Sequence, residues 1–327
     1  MGLAHLYTAA QQRCSAVESE ATRLAKYKNL HTRDDFEKWL SKKITDRRNM
    51  LVPFGTNEEG DPVKIAIVVH VIHNNEPYGT GVNISDEQIY SQIEVLNEDF
   101  QRQNADTVNT QAEFRPLGAK LNVEFVLARQ TEIGEATNGI VRMQGTKTSY
   151  NINISDRELL SSFSQWNPNI YLNIWVTNLT SPNIGLAQFP DYDYPGLDDQ
   201  PNTSNPNTDG LVIDYKVFGS EAKLPGLGLL PSYNRGRTTT HEIGHFFGLR
   251  HVWGDDTSAS GCFVDDYVED TPNSNKDYSG VCTPTDHFSC ESNDMFENFL
   301  YYTNDACMNI FTKEQVERME VILDSAI

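Results

Sequence analysis

Residues 241–251 read His-Glu-Ile-Gly-His-Phe-Phe-Gly-Leu-Arg-His. On a helix, His241 and His245 project from one face about a turn apart, close enough to bind one metal ion. Glu242 adjoins the first of them, where its carboxylate can reach a water on that ion without ligating it. Gly248 lets the helix end in a left-handed turn, which brings His251 up as a third ligand. Three neutral imidazoles leave a fourth coordination position open, as in a catalytic zinc site and unlike a structural one. The chemistry on offer is metal-assisted hydrolysis, in which zinc lowers the pKa of water from 15.7 toward ~7 and Glu242 moves the proton. With 8 histidines in 327 residues, these five fixed positions arise by chance in about 2 of 100,000 such chains.

Such a site needs a scaffold. Val63–His73 is a continuous β-branched run, the pattern of a strand buried on both faces. Ser85 with Gln88 starts a helix carrying Ile89, Ile93, Leu96 and Phe100 on one face. Further strands are expected at Leu121–Ala128, Ile170–Thr177 and Leu211–Tyr215, giving a mixed sheet with helices packed on it. Residues 1–50 read as charged helix. Thr32 and Asp35 form a loose capping box there, and Phe36, Trp39, Leu40 and Ile44 line one face before the dibasic Arg47-Arg48. Residues 190–210 read as a long loop. The tail from Gly254 to Asp305 is aperiodic and holds most of the cysteines.

Five cysteines are present, four of them (Cys262, Cys282, Cys290, Cys307) near the C-terminus and Cys14 alone at the other end. Without CxxC spacing, the four read as two disulfides in preference to a zinc site or four reduced core thiols, and so imply an extracytoplasmic compartment. A formal net charge of −20 argues against nucleic acid and anionic membranes as partners. No apolar run is long enough to span a bilayer. The Met-Gly-Leu start lacks a signal-peptide pattern, so any signal peptide is expected to be absent from the chain.

The zinc-binding segment and its surroundings resemble the pappalysin family of the metzincin zinc endopeptidases. The resemblance is carried by GRTTTHEIGHFFGLRHVWGD (Gly236–Asp255), DDYVEDTP (Asp265–Pro272), NDACMNIFT (Asn304–Thr312), GLAQFP (Gly185–Pro190) and the helix Gln92–Phe100. It implies an α+β, metzincin-like fold. An upper subdomain (48–251) would hold the mixed twisted sheet and the zinc-binding helix, above an irregular, disulfide-stapled lower subdomain (252–327). It also implies His241, His245 and His251 as zinc ligands and Glu242 as general base and acid, with Tyr302 as an oxyanion donor. The disulfides would be Cys262–Cys290 and Cys282–Cys307. A structural calcium would sit at Asp265, Asp266, Val268, Asp270 and Thr271, since clustered carboxylates and carbonyls suit a hard cation.

Gly185, Leu186 and Ala187 would form an edge strand that binds extended substrate. Asp305 would favour Arg or Lys after the cut. Cys14 resembles the cysteine switch of a pro-segment, whose thiolate fills the fourth zinc position in the latent form, although Ser15 replaces the usual glycine. Residues 1–47 would then be a pro-segment removed at Arg47-Arg48, leaving 48–327 as the catalytic domain. One further departure is Leu300, where the family has a methionine beneath the metal. That volume-conserving change should cost under ~1.5 kcal/mol.

The expected protein is thus a secreted zinc endopeptidase made as a zymogen and acting on proteins or peptides. Its oligomeric state is not legible in the sequence. The alternative is an impaired metzincin-fold protein that acts by binding only, and the presence of Glu242 opposes it.

Overall fold

The β-branched run Val63–His73 becomes β1, the central strand of the molecule. The computed structural model describes residues 13–27, 32–50, 60–190, 208–255, 261–275, 280–282 and 287–326. Most of the loop expected over 190–210, and parts of the tail between 254 and 305, lie outside the described residues. β1 pairs in parallel with β2 (Val123–Leu127) along its first half and with β3 (Ile140–Gln144) along its second. On its other side follow β4 (Leu172–Thr177) and β6 (Leu211–Asp214), both parallel, and then the antiparallel edge strand β5 (Gly185–Ala187).

Alternation sorts the side chains. Val69, Ile174 and Ile213 face one layer, while Ile72, Trp175 and Val212 face the other. The first layer holds α3 (Asp86–Phe100) and α5 (Arg237–Phe246); the second holds α4 (Ile154–Ser164). The expected starts at Thr32 and Ser85 are observed, since each hydroxyl accepts a backbone N–H three residues on. The sequence reading missed β3, a short strand that stays half exposed, and α4, which Asn153 caps. It also missed the C-terminal α6 (Lys313–Ala326), although Val316, Met319 and Ile322 have helical spacing.

One apolar cluster runs from the sheet through Ile243 of α5 and Phe247 just after it into Phe299, Leu300, Met308 and Phe311. The upper and lower parts therefore share a core, and α5 is sandwiched at its centre. The lower part is stapled by Cys262–Cys290 and Cys282–Cys307. Two N-terminal helices, α1 (Ala16–Lys26) and α2 (Arg33–Asn49), lie outside this body. The first packs toward α4 and β5, the second on α6.

Candidate active site

α5 is buried along nearly its whole length, and Gly236 precedes it with φ +78°. A β-carbon at Gly236 would stand 2.9 Å from the Gln92 amide, which bonds the Gly236 carbonyl and accepts from Gly219 N. At the other end Gly248 turns the chain with φ +84° and returns His251 to the helix face.

The ε nitrogens of His241, His245 and His251 lie 3.1–3.2 Å apart. His241 Nδ1 faces the Phe299 carbonyl at 2.6 Å, His245 Nδ1 the Leu249 carbonyl at 2.8 Å, and His251 Nδ1 the Asp255 carboxylate. These oxygens only accept, so the protons sit on the δ side and three ε lone pairs converge. Such convergence is unfavourable without a cation among them. Ligands of a tetrahedral zinc stand about 3.3 Å apart, so the spacing fits that ion. Burial, then the neighbouring rings, holds His241 well below its ordinary pKa and pushes His245 down to about 3. Both rings are therefore neutral, the form that ligates.

Around this triad the support is dense. Asp255 is pushed up by burial, but His251 and Arg250 outweigh that and hold it below the carboxylate range. Trp253 stacks on His251 with centroids 4.3 Å apart. Leu300 is fully buried beneath α5, and a β-carbon at Gly244 would meet its Cδ2 at 2.8 Å. The leucine thus packs against α5 at Gly244, between His241 and His245 in the chain. Glu242 is fully buried, and that burial raises its pKa well above the usual value.

A segment of the same chain occupies the cleft. Cys14 Sγ joins the three imidazole nitrogens, all four atoms lying within 4.8 Å of one another. Its S–H donates to Glu242 Oε2 at 3.5 Å. Burial, then Glu242, pushes the thiol well above its ordinary pKa; a dication among these atoms would reverse that. Ser15 N donates to Gly185 O at 3.2 Å, so the segment pairs with the edge strand, and Ser15 Oγ bonds Asn183 Oδ1 at 2.7 Å. Ser15 has negative φ, so glycine is not required at this position. Gly185 lies close against α5: a β-carbon there would sit 2.8 Å from Glu242 Oε1 and 3.0 Å from Thr238 Cγ2, so a larger residue would press on the Glu242 carboxylate. Tyr302 donates its hydroxyl to the Cys14 carbonyl at 3.2 Å. Burial holds that phenol well above its ordinary pKa, so it remains a proton donor.

Arg13, given no role in the sequence reading, is buried beside Cys14. Its Nη2 meets Asp305 Oδ1 and Thr303 O, each at 2.8 Å. The Tyr233 ring lies 4.7 Å beneath the guanidinium. Asp305 Oδ2 in turn accepts from Arg235 N at 2.9 Å and Arg237 N at 3.2 Å at the start of α5. The one available signal was an arginine next to the candidate switch in a chain whose Asp305 was expected to favour bases. Tyr233, Thr303 and Asn183 carried none, because distant loops bring them in.

The acidic turn is less assembled. Asp266 is buried and accepts from Thr271 Oγ1 at 2.8 Å and Val268 N at 3.1 Å. Asp270 accepts from Glu314 N at 3.2 Å, and Asp265 from Tyr267 N at 2.7 Å. Among the described residues, the cluster around Cys14 is the one group of three or more such ligands within mutual reach. Arg47 and Arg48 lie in the last turn of α2. There they pair with Glu320 and Asp324, and with Glu314 and Glu317.

Comparison with known proteins agrees with this geometry. The family model of pregnancy-associated plasma protein-A, peptidase family M43, matches residues 229–324. An extracellular metalloprotease of Arthroderma benhamiae is 30% identical over 268 residues, 82% of this chain and 74% of that protein. A point mutant of Tannerella forsythia promirolysin is 38% identical, with a TM-score of 0.72 over 96% of this chain and 94% of that one. Mature mirolysin from that organism, in complex with a cleaved peptide, is 40% identical. Its TM-score is 0.69 over 81% of this chain and 96% of that one.

Proposed function

The chain belongs to the pappalysin family of metzincin zinc metalloproteases, and from that premise we propose that it is a secreted endopeptidase made as a zymogen, cutting before Arg or Lys. The observation that carries this reading is the N-terminal segment lying in the cleft, with Cys14 at the fourth ligand position and Arg13 on Asp305.

His241, His245 and His251 would hold the zinc, which when bound supplies a Lewis acid and an acidified water. Glu242 takes the proton from the attacking water and returns it to the leaving amine. A carboxyl whose pKa is raised by burial suits that exchange better than an exposed one. Tyr302 donates to the scissile carbonyl as negative charge develops there, the kind of contact it already makes with the Cys14 carbonyl. Substrate backbone pairs along Gly185–Ala187. A basic side chain after the cut enters the Asp305 pocket, where the Tyr233 face and the Thr303 carbonyl suit a planar guanidinium.

Latency rests on Arg13, Cys14 and Ser15, which lie in the cleft where water and substrate would bind. Coverage of this chain falls from 96% against promirolysin to 81% against mature mirolysin, a difference of about 49 residues that supports a removable segment of this length. Secretion is supported by the disulfides and by relatives described as extracellular metalloproteases. A calcium at the acidic turn is supported by buried Asp266 and by the buried Asp270 Oδ1, which makes no hydrogen bond. Removing it with a calcium-selective chelator should lower the melting temperature by several degrees; an unchanged melt with no calcium in the purified protein would refute it.

The deciding experiment follows intact mass over time for the wild-type chain, a zinc-chelated sample and Glu242→Ala, beside cleavage of peptides with Arg, Lys or Ala after the cut. Wild type should lose its N-terminal segment and favour the basic peptides, and Asp305→Asn should erase at least tenfold of that preference. Equal cleavage of all three peptides would overturn the specificity. Full activity of the intact chain would overturn the latency.

A further inference from the structure

The N-terminal segment grips the molecule in two places, and only one of them serves to block the cleft. α2 approaches the surroundings of the site through Arg33, which meets Glu20 of α1 and Asp255, the support of His251, at 3.4 Å each. It also has a built seat. Phe36, Trp39 and Leu40 close over Val321 and Ile322 of α6. The Phe36 ring rests where Gly248 leaves room, 3.1 Å from the position a β-carbon would take. Between these apolar contacts Glu37, only 3% exposed, accepts from Arg250 Nε at 3.2 Å and Arg318 Nη2 at 2.8 Å.

At the far end of α2 the signs reverse. Arg47 meets Glu320 and Asp324 at 2.9 Å each, and Arg48 meets Glu317 and Glu314. An apolar stretch with an acid set within it, and two bases at the far end, find their complements in order on one face. That arrangement fixes both direction and register. α2 also carries its own start signal, a complete Thr32–Asp35 capping box.

We propose that the face formed by Gly248, Arg250, Arg318, Val321 and Ile322 is a helix-docking surface separate from the catalytic cleft, and that it keeps α2 and the segment joined to it bound after the chain behind α2 is cut. This rests on the reading of the N-terminal residues as a removable segment. Cleavage is then not activation. The catalytic domain becomes active when α2 leaves, and a released segment rebinds and inhibits.

The test uses the full chain with a site-specific protease sequence placed within residues 51–59, in the Glu242→Ala background, nicked and passed over gel filtration at micromolar concentration. The two fragments should elute together. They should still do so with Cys14→Ser, which opens the switch but leaves the docking face intact. Glu37→Gln with Trp39→Ala should raise the dissociation rate roughly tenfold or more; both changes lie on the segment that departs, so the catalytic domain itself is unaltered. Immediate separation of the nicked wild type, or release by Cys14→Ser alone, would overturn the proposal. The same nicked chain with Glu242 intact tests the other reading. Fragments that co-elute, but whose separation brings no gain in peptide hydrolysis, would keep the docking surface and sink the zymogen.

Discussion

Tyr302 is the residue proposed as oxyanion donor. Its hydroxyl donates to a backbone carbonyl of the segment in the cleft, and burial keeps it protonated. A donor used mainly in the transition state should affect turnover more than affinity. Tyr302→Phe should therefore lower kcat by about 10²–10³ with KM little changed and zinc content equal to wild type, as steady-state kinetics with metal analysis would read. A loss confined to KM would contradict the assignment. That His241 and His245 would face the same way, with Glu242 beside them, was legible from spacing, because a helix repeats every 3.6 residues and fixes where positions i and i+4 point. Arg13 and Tyr233 were not, since their meeting with Asp305 joins segments some 70 to 290 residues apart.

Among the elements, α5 is the one on which the site depends, and α3 holds it in place. Asp99 of α3 accepts from Thr240 Oγ1 at 2.9 Å and pairs with Arg237 at 3.3 Å, while Asp106 completes the ion cluster. Burial pushes Asp99 up from 3.8 to about 6, against the pull of Arg237 and Thr240. The folded chain thus keeps a proton that the unfolded chain releases near pH 3.8. The associated stabilisation is complete below that pH and is lost as pH rises through about 6, an effect of about 3 kcal/mol. Denaturant melts at pH 4, 5, 6 and 7 should show this fall, and Asp99→Asn should flatten it. Parallel slopes for the two proteins would show that another group is responsible. The strands were predicted well where they are buried on both faces, as in β1 and β4, since apolar runs mark burial directly. β3 escaped because a half-exposed strand has no such run, and α6 because its apolar positions were not read together.

At the scale of the whole molecule, burial along one shared core sets the ligand geometry. The Phe299 carbonyl that orients His241 and the Leu300 side chain under Gly244 both come from the lower part, over 50 residues beyond α5. The pairs Cys262–Cys290 and Cys282–Cys307 hold that part where little regular structure would do so. By itself, the sequence determined the chemistry: two imidazoles and a carboxylate at helical spacing, a glycine to turn the chain toward a third imidazole, and the apolar runs that become the sheet. These follow from local geometry, and a local pattern carries them whole. Tertiary structure decided what surrounds that chemistry. Only packing brings Arg13 onto Asp305, aligns Ser15 with Gly185, and seats α2 on α6, because contacts between distant segments depend on the path of the chain and leave no period in the sequence.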